Sequence, residues 1–344
     1  MGPRVAHSRE GGREFVADES ELRNWLKTLL DGGFSVAAPV EREAGFLAFE
    51  EVSSADAVVI DSKRTISSPK LFFHLPQEEL AAAPGSSPGK GSIIFGIHGC
   101  DMNGLRVLAD TLASRYVDPF FKNRIERTAI VCVTCCDPDQ NCFCTSMGTG
   151  PSVSDGYDLL ITKIDGKYLV EIGTERGRSI LKTANLERAE QNSSTRKEEL
   201  LESLRLKMPK QFRTLGVPQL LLDNMESEVW KKFAEKCLGC TNCTMVCPTC
   251  YCYDVRDWAD LYLKETGRKR VWDSCQSYMF ASVHGGNFRP LQTARLRQFV
   301  CHKLSYWIDQ YGRFGCVGCG RCMSWCPTGI DLTDIANEIR KTQE

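Results

Sequence analysis

Two runs near the carboxyl end, Cys237-Leu-Gly-Cys-Thr-Asn-Cys-Thr-Met-Val-Cys-Pro248 and Cys316-Val-Gly-Cys-Gly-Arg-Cys-Met-Ser-Trp-Cys-Pro327, share one spacing, C-x2-C-x2-C-x3-C-P. They hold eight of the eighteen cysteines in a chain of 344 residues. Otherwise the composition, 42% hydrophobic and 25% charged, is that of globular domains, enough for two, and excludes disordered or collagen-like architectures. A formal net charge of −1 offers no basic surface for nucleic acid or an anionic membrane. So many thiols need a chemical reason, either disulfides in an oxidising compartment or metal ligation in a reducing one. Residues 1–13 contain no apolar secretory core, and runs such as Ala129-Ile-Val-Cys-Val133 fall far short of the ~20 apolar residues that cross a bilayer. The expectation is a cytoplasmic chain without direct membrane insertion, whose reduced thiols bind metal.

The spacing of the two runs is that of bacterial two-cluster ferredoxins. Three thiolates on one tight loop reach three irons of a cubane, and the fourth, at a helix entry, points away to the neighbouring cluster. Cluster one is therefore assigned to Cys237, Cys240, Cys243 and Cys326, and cluster two to Cys316, Cys319, Cys322 and Cys247. A zinc ribbon would need two C-x2-C pairs rather than two runs of four ending in Cys-Pro, and zinc carries no electrons. Gly315, Gly318 and Gly320 lie among ligands, so they are read as letting backbone wrap a cubane rather than as a phosphate loop.

Upstream, Leu22, Trp25, Leu26, Leu29 and Leu30 mark one apolar helix face, with Asp18 and Glu21 as a capping box and Gly32-Gly33 as its end. Strands are expected at Phe46–Val52 and Ala57–Ile60, followed by a Pro-, Gly- and Ser-rich loop at Ala81–Gly91. Ile93–Ile97, a helix at Met102–Ala113 and Thr128–Val133 read as a βαβ unit with a parallel pair. Cys100 and Cys135 then fall at the carboxyl edge of the sheet, where open α/β sheets bind ligands. Leu159–Ile164 and Lys167–Ile172 flank Asp165-Gly166, a hairpin signal. Glu187–Lys197 reads as a polar linker, and helices are expected around Glu198–Lys207 and Glu226–Lys236. The fold class is thus α+β: an amino-terminal α/β domain over 1–225, then a two-cluster ferredoxin-like domain over 226–344 with a large helical insertion at 253–315. Helices are expected there at Trp258–Leu263 and Leu291–Ile308. Arg289, Arg295 and Arg297 would dock an acidic partner, balance cluster charge or lie on a solvated helix face.

Ten cysteines remain. Cys135, Cys142 and Cys144 share a loop with Cys136, and Cys100 approaches from the neighbouring strand, a candidate third iron-sulfur cluster. Cys250, Cys252 and Cys275, with Cys301, form a second candidate set. A zinc ion or a redox dithiol are the other readings of both. Cys132 reads as a small buried hydrophobe.

Cys247-Pro-Thr-Cys-Tyr-Cys252, Trp272-Asp-Ser-Cys275, Gly285-Gly-Asn-Phe-Arg289 and Cys316-Val-Gly-Cys-Gly-Arg-Cys322 resemble the iron-sulfur subunit that anaerobic sulfite reductases share with cytoplasmic sulfhydrogenases, where it is the beta chain. Gly99-Cys-Asp101, Asn141-Cys-Phe-Cys144 and Met147-Gly-Thr-Gly-Pro151 are similar to the same family, so the likeness spans about residues 90–344. Cys132, Cys136 and Cys301 lie outside its pattern. The resemblance implies an electron-transfer subunit of a multi-subunit oxidoreductase. Its partners would be a flavoprotein that uses NAD(P)H and a terminal catalytic subunit, of hydrogenase, sulfite reductase or heterodisulfide-reductase-like type. No G-x-G-x-x-G follows a strand, so flavin is expected on a partner. The rival is a self-contained iron-sulfur enzyme acting on thiols or disulfides, or binding its own flavin.

Overall fold

The computed structural model describes residues 14–80 and 91–343. The readings for residues 1–13 and for the Ala81–Gly91 loop, apart from Gly91, lie outside them. The first strand, β1 (Glu14–Ala17), leads into α1 (Glu19–Asp31), capped as the sequence indicates: the Asp18 carboxylate accepts from Glu21 N at 2.8 Å, and Glu21 accepts from Asp18 N at 2.8 Å. Then come β2 (Ser35–Glu41), β3 (Leu47–Val52), the short β4 (Gln77–Glu79) and β5 (Ser92–Ile97). Helices α2 (Gly99–Leu112) and α3 (Pro119–Arg127) connect β5 to β6 (Thr128–Val133). The hairpin of β7 (Leu159–Ile164) and β8 (Lys167–Ile172) turns at Asp165 and Gly166, both at positive φ, 49° and 83°. Next are α4 (Glu175–Leu181), β9 (Glu187–Arg188) and α5 (Ser193–Leu206).

Among the described residues eight strands form one sheet in the order β3-β2-β5-β6-β7-β8-β1-β9, parallel from β2 through β7 and antiparallel at both flanks. Alternation along the strands sends Val36, Ile93, Phe95 and Val131 to the face covered by α1 and Trp25. Ala37, Ile94, Ile130 and Cys132 face α2 and α3 on the other side. Cys132 is fully buried there. Helix α2 starts at Gly99 rather than at Met102, which puts Cys100 in its first turn, just past the carboxyl end of β5.

In the carboxyl-terminal half, α6 (Val217–Asp223) and α7 (Glu228–Ala234) come before the helical turn α8 (Asn242–Met245). Further on lie α9 (Gln292–Cys301), α10 (Trp307–Tyr311), α11 (Arg321–Ser324) and α12 (Leu332–Lys341), with a π-helical turn, His302–Tyr306, joining α9 to α10. The pair α6 and α7 packs against α9 and α12. Val217, Leu221, Trp230, Leu296, Val300, Ile335 and Ile339 make this second core.

Three expectations are corrected. Ala57–Ile60 is no strand: it makes one bridge, Val58 to Val40, while the Ala55 and Val58 carbonyls accept from the Arg23 guanidinium instead of a ladder partner. Trp258–Leu263 is no helix, because β10 (Tyr253–Ala259) pairs in antiparallel register with β11 (Thr266–Trp272), and Leu261, Tyr262 and Leu263 form an exposed tip. The insertion therefore opens on strands and becomes helical only later. Glu187–Lys197 is no linker, since Glu187 and Arg188 pair with β1 and α5 begins at Ser193; its polar residues are taken up by ion pairs from Lys197 to Glu171 and from Arg196 to Asp165.

The two halves are joined by hydrogen bonds and by buried charge. Strand β4 adds to β11, and Arg270, 3% exposed, pairs with Glu78 and Asp118. Arg321, inside the second cysteine run, is fully buried. Its guanidinium grips Asp101 of α2 through two bonds of 2.6 and 2.8 Å, and donates to Thr65 O and Oγ1 at 2.9 and 3.0 Å. Removing one partner of such a pair strands the other charge. Asp101→Ala is expected to cost about 3–5 kcal/mol, read as a shift of the urea midpoint, and a loss below ~1 kcal/mol would show that Arg321 finds solvent.

Candidate metal centres

The two cysteine runs fold alike. Backbone at positive φ falls at Gly239 (63°) and Thr241 (67°) in the first and at Gly318 (64°) and Gly320 (72°) in the second, each followed by one helical turn, α8 or α11. These left-handed steps turn a short loop so that its thiols face inward. A cavity lined by Cys237, Cys240, Cys243, Cys322, Cys326 and Pro327 opens at the first loop. The Cys243 thiol is pushed up to about 12, by burial first and then by Cys237, Cys247, Cys240 and Cys326. The Cys322 thiol is pushed well up by burial and then by Cys316, Cys319, Cys247 and Cys243. For Cys316, raised to about 12 by burial against the Gly318 N–H, the charge neighbours that raise it are Cys247 and Cys319. Cys326 thus stands near the first loop, while Cys247 stands near thiols of both loops. Sulfur also receives donors: Gln292 Nε2 to Cys237 at 3.2 Å, Gly318 N to Cys316 at 3.4 Å and Ile330 N to Cys326 at 3.2 Å. Inward thiols, a cavity between them and backbone N–H groups on sulfur suit the donor set to iron-sulfur cubanes.

The amino-terminal set gathers beside the second loop. Cys100, Cys142, Cys144 and Cys319 pack as one buried group with Met208 and Val317. The Cys135 thiol, raised by burial, has Cys142 and Cys144 as its nearest charge neighbours. Burial lifts Cys142 to about 11 and Cys144 to about 12. Phe143 N donates to Gly318 O at 2.8 Å and Thr149 Oγ1 to Val317 O at 2.6 Å, stitching the two loops together. Cys136 lies outside the group, exposed.

The second candidate set resolves into pairs. The Cys250 thiol donates to Cys247, holding Cys247 well below and Cys250 well above the usual thiol range. Cys275 likewise donates to Cys252, which is lowered to about 7. Cys301 is apart, buried in the second core against Tyr306, with its thiol raised to about 11 mainly by burial. Among the described residues, no three His, Cys, Asp or Glu side chains are grouped around a point where a single ion would sit.

Charged residues near these thiols are what spacing does not reveal. Lys70 and Lys303 are each 2% exposed; Lys303 Nζ donates to Thr249 Oγ1 at 2.7 Å, and Lys70 Nζ to Thr244 O at 3.3 Å and Cys250 O at 3.1 Å. Arg321 sits beside Cys319. The one available signal is Arg321 itself, a charge inside a ligand loop. Of the arginines marked in the insertion, Arg295 is buried and donates to Arg289 O, Pro290 O and Gln292 Oε1, while Arg297 is committed to Met225 O and Glu226.

The family model described as "4Fe-4S dicluster domain" matches residues 236–330. The chain is 35% identical over 316 residues to sulfhydrogenase 2 subunit beta of Pyrococcus furiosus, covering 89% of this chain and 92% of that one. It is 26% identical over 180 residues to the F420-dependent formate dehydrogenase subunit beta of Methanocaldococcus jannaschii, covering 51% of this chain and 39% of that one. Both relatives are beta subunits of oxidoreductases, and both cysteine runs fall inside the matched dicluster region. With such identity along nearly its whole length, the chain belongs to the sulfhydrogenase beta-subunit family, as an iron-sulfur electron-transfer subunit of an oxidoreductase.

Proposed function

We propose that the chain relays single electrons between a flavoprotein subunit that uses NAD(P)H and a terminal catalytic subunit of hydrogenase, sulfite reductase or heterodisulfide-reductase-like type. What carries the reading is the succession of thiol groups from the exposed Cys240 in the first loop, through the second loop, to the buried amino-terminal set that touches Cys319. Two 4Fe-4S clusters, when bound, supply one-electron chemistry, with cluster one on Cys237, Cys240, Cys243 and Cys326, and cluster two on Cys316, Cys319, Cys322 and Cys247. The protein holds the thiols at fixed separations, buries Cys319 in the second group and directs N–H donors at sulfur. Cys100, Cys135, Cys142 and Cys144 would hold a third cluster, at the edge of a βαβ unit formed by β5, α2 and β6. Flavin stays with the partner. Among the described residues no helix is long and apolar enough to cross a membrane.

The domain division follows the same logic. A boundary near residue 225 separates the sheet from the dicluster region, although packing of Phe212, Val217 and Leu221 into the second core favours a boundary some residues earlier.

A second reading has one observation in its favour, the contact of Cys275 with a Cys252 thiol lowered to about 7. A thiolate near neutral pH is the nucleophile that disulfide chemistry needs. Turnover separates the two readings: the isolated, iron-loaded chain is expected to show none with sulfite, hydrogen or disulfides, and disulfide reduction by the pure chain would establish the rival. About twelve irons per chain are expected with the third cluster, and about eight without it. In Cys326→Ser, spectroscopy is expected to find damage to the cluster of Cys237, Cys240 and Cys243, and in Cys319→Ser to the other. If Cys326→Ser disturbed only the cluster of Cys316, Cys319 and Cys322, the crossed assignment would be wrong.

A further inference from the structure

Lys303 lies on the π-helical turn His302–Tyr306, an irregularity that often marks a functional position in a helix. Gly315, just ahead of the second cysteine run, packs against this segment so closely that a Cβ there would fall 2.7 Å from the Trp307 ring and 3.0 Å from His302 O. The buried ammonium of Lys303 binds the Thr249 hydroxyl at 2.7 Å. That hydroxyl lies 3.1 Å from Cys247 Sγ and 2.7 Å from Gly315 O, so the charge stands one oxygen atom away from a ligand sulfur. No carboxylate takes part in these contacts. A charge taken out of water is retained only if an opposite charge compensates it. The thiols that act most strongly on this buried ammonium are those of Cys247, Cys250, Cys316 and Cys252. Two of those four, Cys247 and Cys316, belong to the second group.

The first group is served differently. The residues that perturb Cys243 most are other thiols, and the groups on Cys237 and Cys326 are neutral: the Gln292 amide, the Ile330 N–H and the Thr328 hydroxyl, the last with no lysine bonded to it among the described residues. Lys70, the other buried lysine, also has Cys250 and Cys247 as its nearest thiols, although burial dominates and lowers it. The compensating positive charge is therefore concentrated on one side of the pair of loops.

We propose that Lys303 sets the potential of the cluster held by Cys316, Cys319, Cys322 and Cys247. Each one-electron reduction adds one negative charge to that group, with no proton required. A fixed ammonium one hydroxyl away favours the more negative state and holds the midpoint potential up, against the lowering that burial imposes. The inference rests on the ligand assignment proposed above and gives Lys303 a role that spacing alone does not assign.

The test is a dithionite titration of the full-length, iron-loaded chain, each cluster followed by electron paramagnetic resonance and iron and sulfide quantified in parallel. Lys303→Gln is expected to lower one midpoint, that of the cluster damaged in Cys319→Ser, by a tenfold or larger change in the reduction equilibrium, about 59 mV for one electron. The other midpoint and the iron content stay as in the unsubstituted chain, and Lys303→Arg returns the shifted midpoint towards its original value. Full iron with unmoved midpoints overturns the proposal, as does an equal shift of both. If Lys303→Gln loses iron, Thr249→Val decides in the same assay: a smaller shift confined to one cluster supports the role, and no shift overturns it. Failure of the ligand assignment is seen separately, as an unsubstituted chain that lacks two clusters or as damage in Cys326→Ser confined to the cluster of Cys316, Cys319 and Cys322.

Discussion

A guanidinium with no exposure to water holds the molecule together. Arg321 belongs to the loop that carries Cys319 and Cys322, yet its partners, Asp101 and Thr65, belong to the sheet-bearing half. Because both charges are out of solvent, the contact works only as a matched pair with its hydrogen bonds filled. The second cysteine loop is consequently seated on the carboxyl edge of the sheet, against the Phe143 backbone and the Thr149 hydroxyl. The dicluster region is built into the larger fold at this point. Strand β4 and Arg270 repeat the arrangement on a smaller scale, fixing the β10–β11 hairpin to the amino-terminal half.

What could be read from the sequence depended on whether a local rule governed the segment. Asp18 and Glu21 cap α1, and Asp165-Gly166 makes its turn, because these depend on residues three or four apart. The dicluster region over 236–330 was legible for the same reason, the spacing of its two cysteine runs being a short-range code. Trp258–Leu263 misled because its apolar residues belong to a hairpin whose other strand begins only at Thr266, and periodicity does not register pairing. At Ala57–Ile60 only Val58 and Ile60 are buried, and a distant arginine takes the Val58 carbonyl that a strand would have used. Lys70, Lys303 and the Asp101–Arg321 pair leave no trace in spacing. A buried charge is defined by partners as far away as 256 positions along the chain.

The two cysteine runs repeat one another in backbone, down to the positions of their left-handed residues, and differ in surroundings. The first lies towards solvent, with Cys240 exposed and Leu238 70% exposed. The second is roofed by the amino-terminal loop and flanked by Lys303 and Arg321. Equal ligand geometry in unequal dielectric and charge is how a protein makes two similar metal groups behave differently. The difference originates in the non-repeated parts of the chain, the sheet-bearing half and the insertion that supplies Lys303.

Gly318 and Gly320 invite a reading in which small residues are required by the metal. Their surroundings point elsewhere: a Cβ at Gly320 would stand 2.4 Å from Asn141 O, and one at Gly318 2.7 Å from the Phe143 carbonyl. It is neighbouring protein backbone that denies them a side chain. In the first loop the corresponding residues are Gly239, whose nearest atom would be a movable Gln292 side-chain oxygen at 3.2 Å, and Thr241, which already bears a side chain. A descendant of this chain that lost all its iron would thus stay bound to glycine at 318 and 320 for as long as it kept the sheet, while 239 and 241 would be held only by their left-handed backbone. The imprint of the joined halves would outlast the chemistry they now serve.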